Sequence, residues 1–252
     1  MPWTFAHPAA VLPLQRLKLP LTGLALGSIA PDLGYYIGRF DWATQAHSVT
    51  GLVTHCLPVT LLLAWLLVML LPVWSAPLPE PHRSAWRQAA RPRFRPWPDL
   101  LRMLLAVLLG AATHLLWDAA THYHGVFVQA WPVLREPLLV LGGRAVAAYS
   151  VLQHGSTLLG ASVLTIAYRR WLRRAMPASI STNDPRPLRG WGALLLLTVL
   201  ALAGGAMLSL RYAWPGINSE SLLVRTTIHA TTLFALGYAA LAVGTWLRQG
   251  RR

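Results

Sequence analysis

Acidic residues and sulfur are both scarce in this chain. Eight aspartates and glutamates stand against 22 lysines and arginines over 252 residues, and Cys56 is the one cysteine. A single thiol excludes an intramolecular disulfide and any multi-thiolate metal site, which leaves imidazole and carboxylate as the available metal ligands. Charge of either sign is thin: 12% of residues are charged and 55% hydrophobic, the composition of an integral membrane protein. The formal net charge of +14 does not imply a nucleic-acid partner, because the basic residues fall in blocks between apolar runs, where they set topology and meet membrane lipids. No cleavable signal is expected, since the N-terminus lacks a basic region followed by an apolar core and a small-residue cleavage site.

Long apolar runs are what the chain does have. About five are long enough to cross ~30 Å of hydrocarbon at 1.5 Å per residue, near 49–74, 98–122, 147–171, 190–210 and 222–247. Before them, residues 1–46 are cut by Pro8, Pro13, Pro20 and Pro31 into pieces too short to span. Two short helices near 8–17 and 21–30, lying on the membrane or re-entering it, are expected there; one spanning helix over 17–38 is the competing arrangement. Residues 75–98, rich in proline and arginine, read as a flexible basic linker, and 123–146 as a loop with a short interfacial helix. The fold class is therefore all-α, a polytopic membrane protein of about five transmembrane helices plus short N-terminal interfacial or re-entrant helices. Its organisation reads as a membrane domain over 1–171 that carries the candidate site, a basic cytoplasmic linker over 172–189, and two further transmembrane helices over 190–252.

The second run ends in THLLWDAATH, residues Thr113 to His122. His114, Asp118 and His122 follow one another at intervals of four, so a helix places them in one stripe. Ionisable groups at membrane depth are costly unless paired, hydrated or bound to an ion. Hydrogen-bonded core histidines are the alternative account of this stripe taken alone. Fifteen of the 22 lysines and arginines follow the first and third runs or close the chain, so the positive-inside rule puts those segments in the cytoplasm. His47, the stripe and His154 then share the outer side with His7 and Asp32, drawn from separate segments, which favours a site. Asp32, after Pro31, has the alternative role of a helix N-cap.

Zinc and similar ions take imidazole and carboxylate ligands, and a catalytic position needs about three of them. Asp118, between two histidines, is placed to bridge two ions, and paired ions suit phosphoester hydrolysis. His55 is expected to assist or pack beside Cys56, His124 to lie at the rim, and His229 and Arg225 to meet phosphate or the interface. Gly155 with Gly160, and Gly204 with Gly205, are expected to permit close helix packing. Ser48 and Ser156 lack a nucleophile arrangement.

In order along the chain, MPWTFAHPAAVLPL, GSIAPD, AHSVTG, THLLWDAATH and VLQHGST resemble a bacterial membrane-protein family, domain of unknown function 4184, from Met1 to about Gly160. The chain is more distantly similar to LexA-regulated membrane-bound proteins predicted to be metal-dependent hydrolases, and both resemble zinc-dependent phospholipase C and the S1-P1 nucleases. The resemblance implies metal ligation by His7, Asp32, His47, His114, Asp118 and His122, with His154 a ligand or substrate contact and Asp118 and His122 as catalytic residues. Leu158 stands where the soluble enzymes carry another acidic ligand, and Met1-Pro2-Trp3 replaces their metal-binding N-terminal tryptophan, which leaves ligands for one or two divalent ions, zinc foremost.

The function expected is a metal-dependent hydrolase of the bacterial inner membrane, acting at its outer face on phosphate esters such as lipid-linked phosphates. A metal- or proton-coupled transporter or binding protein is the alternative built on the same histidines. Haem ligation leaves Asp32 and Asp118 unexplained.

Overall fold

The computed structural model describes residues 3–89, 96–175, 187–213 and 219–250. The N-terminal region is a series of short helices: a 3-10 turn (Thr4–Ala6), α1 (Pro8–Val11), a second 3-10 turn (Leu12–Leu17), α2 (Leu21–Ile29), a third (Ala30–Asp32), α3 (Leu33–Tyr36) and α4 (Phe40–Ala46). Then α5 (Val49–Gly51) runs through a widened π turn (Leu52–Cys56) into α6 (Leu57–Met69). There follow α7 (Leu71–Trp74), α8 (His82–Ala89), α9 (Pro96–Thr121), α10 (Val126–Ala130), the strands β1 (Pro137–Leu141) and β2 (Arg144–Ala147), α11 (Ala148–Ala175), α12 (Pro187–Arg211) and α13 (Ser219–Gly250). Among the described residues the chain is all-α but for this one antiparallel hairpin, whose turn places Gly142 and Gly143 at φ 55° and 77°. Two consecutive positive φ values suit glycine and match the right-handed strand twist.

The arrangement at the N-terminus decides between the two sequence expectations. Lys18 adopts a left-handed φ of 56° and Pro20 precedes α2, so residues 17–38 form no single helix. Among the described residues, four helical stretches are long and apolar enough to cross a membrane: Val49–Met69, Asp99–Ala130, Gly190–Arg211 and Ser221–Gly250. The fifth expected span, α11, is one continuous helix of 28 residues, but Gln153, His154, Ser156, Thr157, Ser162 and Thr165 make it less apolar than these four. Outward-facing leucines on the spans, such as Leu195 and Leu236, 66% and 65% exposed, suit a hydrocarbon surround.

The sequence leads one to expect no core within residues 75–98, yet part of that stretch is ordered. In α8, Ala85 is fully buried, and the Arg87 guanidinium donates from Nε to Ser75 Oγ at 2.9 Å. The sequence HRSAWRQA is amphipathic, with Ala85 on its inner face; residues 90–95 lie outside the described residues. Likewise, 123–146 holds the hairpin in addition to α10, and of the 172–189 linker the positions 176–186 lie outside the described residues.

The chain divides into two compact units, Met1–Ala64 with Phe94–Tyr168, and Trp65–Arg93 with Arg169–Arg252. In the second, α12 and α13 form a helical hairpin in which Gly205 lies against the backbone of Ala230 and Ser209 Oγ meets His229 Nδ1 at 2.9 Å. In the first, α2 packs along α9. Gly23 and Gly27, four apart, make one small-residue face; Gly23 meets Met103 and Ala106, Gly27 meets the Val107 carbonyl, and Gly110 reciprocates against the Leu24 carbonyl. A side chain at either Gly27 or Gly110 would occupy the space of a backbone oxygen. This close approach carries the buried Ser28 carbonyl onto α9 and sets up the site.

Candidate metal centre

Three separate breaks in the N-terminal helices and one long helix supply the polar residues of the candidate site. His7 sits between the Thr4–Ala6 turn and Pro8. Asp32 closes the third 3-10 turn; it precedes α3 without capping it, and its Oδ2 instead accepts a hydrogen bond from the Thr4 hydroxyl. His47 occupies the kink between α4 and α5, where Ser48 becomes extended and its Oγ caps the Gly51 N–H at 3.0 Å. His114 and Asp118 lie on α9, and His122 is the first residue past its end.

These residues converge. One ligand atom each from Asp32, His47, His114 and Asp118 lies within 4.8 Å of the other three. Asp118 turns its two oxygens in different directions: Oδ2 is 3.3 Å from His114 Nε2 and 3.6 Å from His47 Nε2, whereas Oδ1 is 3.8 Å from His7 Nε2 and 3.4 Å from His122 Nδ1. Asp32 Oδ1 adds 3.2 Å to His47 Nε2 and 3.6 Å to His114 Nε2. The His7 and His114 rings stack with centroids 3.9 Å apart.

Backbone carbonyls fix which nitrogen carries hydrogen. The Nδ1–H of His114 donates to Ser28 O at 2.7 Å and that of His47 to Ala43 O at 2.8 Å. A carbonyl only accepts, so Nδ1 holds the proton and, in the neutral ring, Nε2 turns a lone pair toward the carboxylates. Lone pair then faces lone pair, at cost, unless a positive charge lies between. Among the described residues six buried side-chain polar atoms have no hydrogen-bond partner, and five of them are here: His7 Nε2, Asp32 Oδ1, His114 Nε2, Asp118 Oδ1 and His122 Nε2. Ligands held at ~2.0–2.1 Å around a tetrahedral ion stand about 3.3 Å apart, close to the spacings around Asp118 Oδ2. The donor set therefore fits a divalent ion with nitrogen and oxygen preference, and the outward anchoring of Nδ1 is the orienting contact that metal-bound histidines use.

The electrostatics of the groups beside the spans agree. Burial, and then charge repulsion from His114, press the His7 imidazole down to about 3, so it presents a neutral lone pair. Burial also disfavours charge on His47, but its contacts with the Asp118 and Asp32 carboxylates outweigh this and carry it up to about 9. Burial would raise the Asp32 carboxyl; His114 and His47 beside it hold it below the usual carboxylate range. The two carboxylates thus draw positive charge inward. The cluster is not sealed: the side chains of His114 and Asp32 are 0% and 1% exposed, those of His47 and His122 21% and 29%.

Of the other residues singled out from sequence, His154 is half-buried on α11. Leu158 is 73% exposed, and the Trp3 backbone N–H donates to Thr157 Oγ1 at 3.0 Å. His55 stacks edge-on to Trp42 and contacts Thr54, and His124 packs on Tyr123. His229 belongs to the second unit.

The family model described as Domain of unknown function (DUF4184) matches residues 1–246. The chain belongs to the DUF4184 family. No curated protein and no solved structure matches it. The DUF4184 match takes in both units, including α12 and α13 beyond the motifs.

Two further residues of this DUF4184 chain bear on the centre: Thr4, inside the MPWTFAHPAAVLPL stretch, and Tyr36, outside the motifs. The Tyr36 hydroxyl donates to Thr4 Oγ1 at 2.9 Å, and the Thr4 hydroxyl in turn donates to Asp32 Oδ2, which leaves Oδ1 aimed at His47 and His114. In sequence, Thr4 falls three residues before His7, and Tyr36 one helical turn after Asp32. Thr4→Val keeps the shape and removes the donor, and it is expected to weaken metal binding about tenfold. Competition against a chromophoric chelator measures this, with Thr4→Ser restoring affinity.

Proposed function

We propose that this protein is a membrane-embedded, metal-dependent hydrolase of a phosphate ester, with its centre at the outer face of the bacterial inner membrane. The observation that carries this reading is the convergence of unpartnered buried ligand atoms, His7 Nε2, Asp32 Oδ1 and His114 Nε2, on the cluster around the Asp118 carboxylate, whose own Oδ1 is unpartnered and whose oxygens face two ways. Asp32, His47, His114 and the Oδ2 of Asp118 would hold one divalent ion, with zinc favoured by the donors; the Oδ1 of Asp118, His7 and His122 offer fewer ligands, as an open position requires. A bound ion would supply Lewis-acid polarisation of a phosphoryl oxygen and ease deprotonation of water.

The chain's own residues do the rest. Asp32 and Asp118 set the negative charge that selects a divalent cation, and Thr4 and the Ser28 and Ala43 carbonyls fix their ligands' orientation. His47 and His122, which are partly exposed, stand where a phosphate ester enters, while buried His114 closes the floor. The crowding of arginines after the first and third apolar runs supports an outward-facing centre.

Protein purified without chelators is expected to contain about one or two equivalents of zinc, manganese or iron, as the two ligand sets around Asp118 allow. It is expected to hydrolyse a short-chain phosphate monoester in detergent, and His114→Ala to lose both properties while remaining folded. A metal-free wild type, or one that binds zinc and carries it across vesicles without hydrolysis, would sink the hydrolase reading.

A further inference from the structure

Beside the metal centre, within the same unit, a cavity of about 190 Å³ is lined by Ala6, His7, Ala9, Ala10, Trp117, Ser156, Leu159, Gly160 and Val163. One wall is α1 and the turn before it, small because its residues are alanines; the others are α9 and α11. Gly160 lets α11 approach the Ala6 backbone and so forms the end of the groove.

The few polar groups of the wall are already engaged with one another. Trp117 Nε1–H donates to Ser156 Oγ at 3.2 Å, and the Ser156 hydroxyl donates to the Gln153 carbonyl at 3.0 Å. Nothing there asks for a hydrogen-bonding ligand except at one place. His7 belongs both to this wall and to the metal centre, where its unpartnered Nε2 lies 3.8 Å from Asp118 Oδ1.

The lip is apolar and open: Leu159 is 66% exposed, Trp117 38%, and neighbouring Leu116 and Leu158 61% and 73%. Since α9 is long and apolar enough to cross a membrane, an open lip of exposed leucines beside it suits contact with hydrocarbon. The volume is well below the ~300–1,000 Å³ of pockets that enclose a whole ligand. One flexible hydrocarbon chain fits it.

We propose that this groove receives a single hydrocarbon chain of a membrane phospholipid, with the chain's polar end delivered past His7 to the metal centre. The proposal rests on the hydrolase reading for what happens at the phosphate, but occupancy of the groove does not need turnover. The substrate class becomes a phosphate ester with a long apolar chain, drawn laterally from the bilayer.

The test uses the full chain in lipid nanodiscs containing phosphatidic acid with a photoactivatable diazirine on one acyl chain. After illumination, adducts are mapped by peptide mass spectrometry. Labelling is expected to concentrate on residues 6–10 and 159–163, above the level on the exposed leucines of α12. Ala10→Phe and Val163→Trp, which fill the groove from opposite walls, are each expected to cut it about tenfold, the equivalent of roughly two methylenes losing their burial. Metal content, unchanged in at least one variant, certifies the neighbouring fold. Labelling no greater than on α12, or insensitive to the variant that retains metal, overturns the proposal. Absence of turnover with a soluble short-chain ester counts against the hydrolase reading alone, so the two failures remain separate.

Discussion

Asp118→Asn is expected to strip the protein of metal, with a loss of affinity on the order of a hundredfold or more, at the upper end of what altering a metal's orienting contacts alone costs. Asp118 has two oxygens in two sets of contacts, Oδ2 with His47 and His114 and Oδ1 with His7 and His122. Asparagine fits the same space, but it removes the charge and turns one of those two positions into an NH₂ donor that cannot ligate. Whichever way the amide is oriented, one set loses its carboxylate oxygen and the other keeps only a neutral, weaker donor. If two ions bind, both should weaken together, whereas His122→Ala should affect only the position served by Oδ1. Elemental analysis beside circular dichroism separates ligand loss from unfolding. A folded Asp118→Asn protein that retains full metal would show that the centre does not depend on the bridging carboxylate.

The helices and the site were legible to different degrees, for physical reasons. An uninterrupted apolar run leaves the backbone no option in hydrocarbon but a helix, so α9, α12 and α13 fall close to where the runs place them. Proline signalled the breaks around α1 and α2 equally well. The four-residue spacing of His114, Asp118 and His122 showed their common face, because they share one helix. No spacing could bring His7, Asp32 and His47 to that face, since their meeting depends on tertiary packing; the charge asymmetry that puts them on one side and the motif resemblance are what gathered them. Ser28 and Ala43 were invisible because they act through their carbonyls, which every residue has. α8 was hidden by the surrounding arginines and prolines, although Ala85 and Arg87 anchor it, and the hairpin by the brevity of its strands on either side of Gly142–Gly143.

Gly110→Ala offers a test in which two effects of opposite sign compete. Helix propensity alone favours alanine over glycine by about 1 kcal/mol in a helix interior. Gly110, however, lies on α9 with the Leu24 carbonyl where a Cβ would go, and Ser28 N beside it. Backbone on the opposing helix cannot rotate away as a flexible side chain can, so α2 must move outward. Overpacking of this kind typically costs ~1–3 kcal/mol. The net expectation is destabilisation by roughly 1–2 kcal/mol, read as a lower thermal midpoint in detergent. The same displacement stretches the 2.7 Å bond from His114 Nδ1–H to Ser28 O, so metal affinity should fall on the order of tenfold although Gly110 touches no ligand. Gly155→Ala is the control: nothing lies within 4 Å of where its Cβ would stand, and propensity should prevail there, leaving stability equal or higher. A Gly110→Ala protein as stable as the Gly155→Ala protein, with unchanged metal affinity, would mean that the close approach of α2 and α9 does not hold His114 in place.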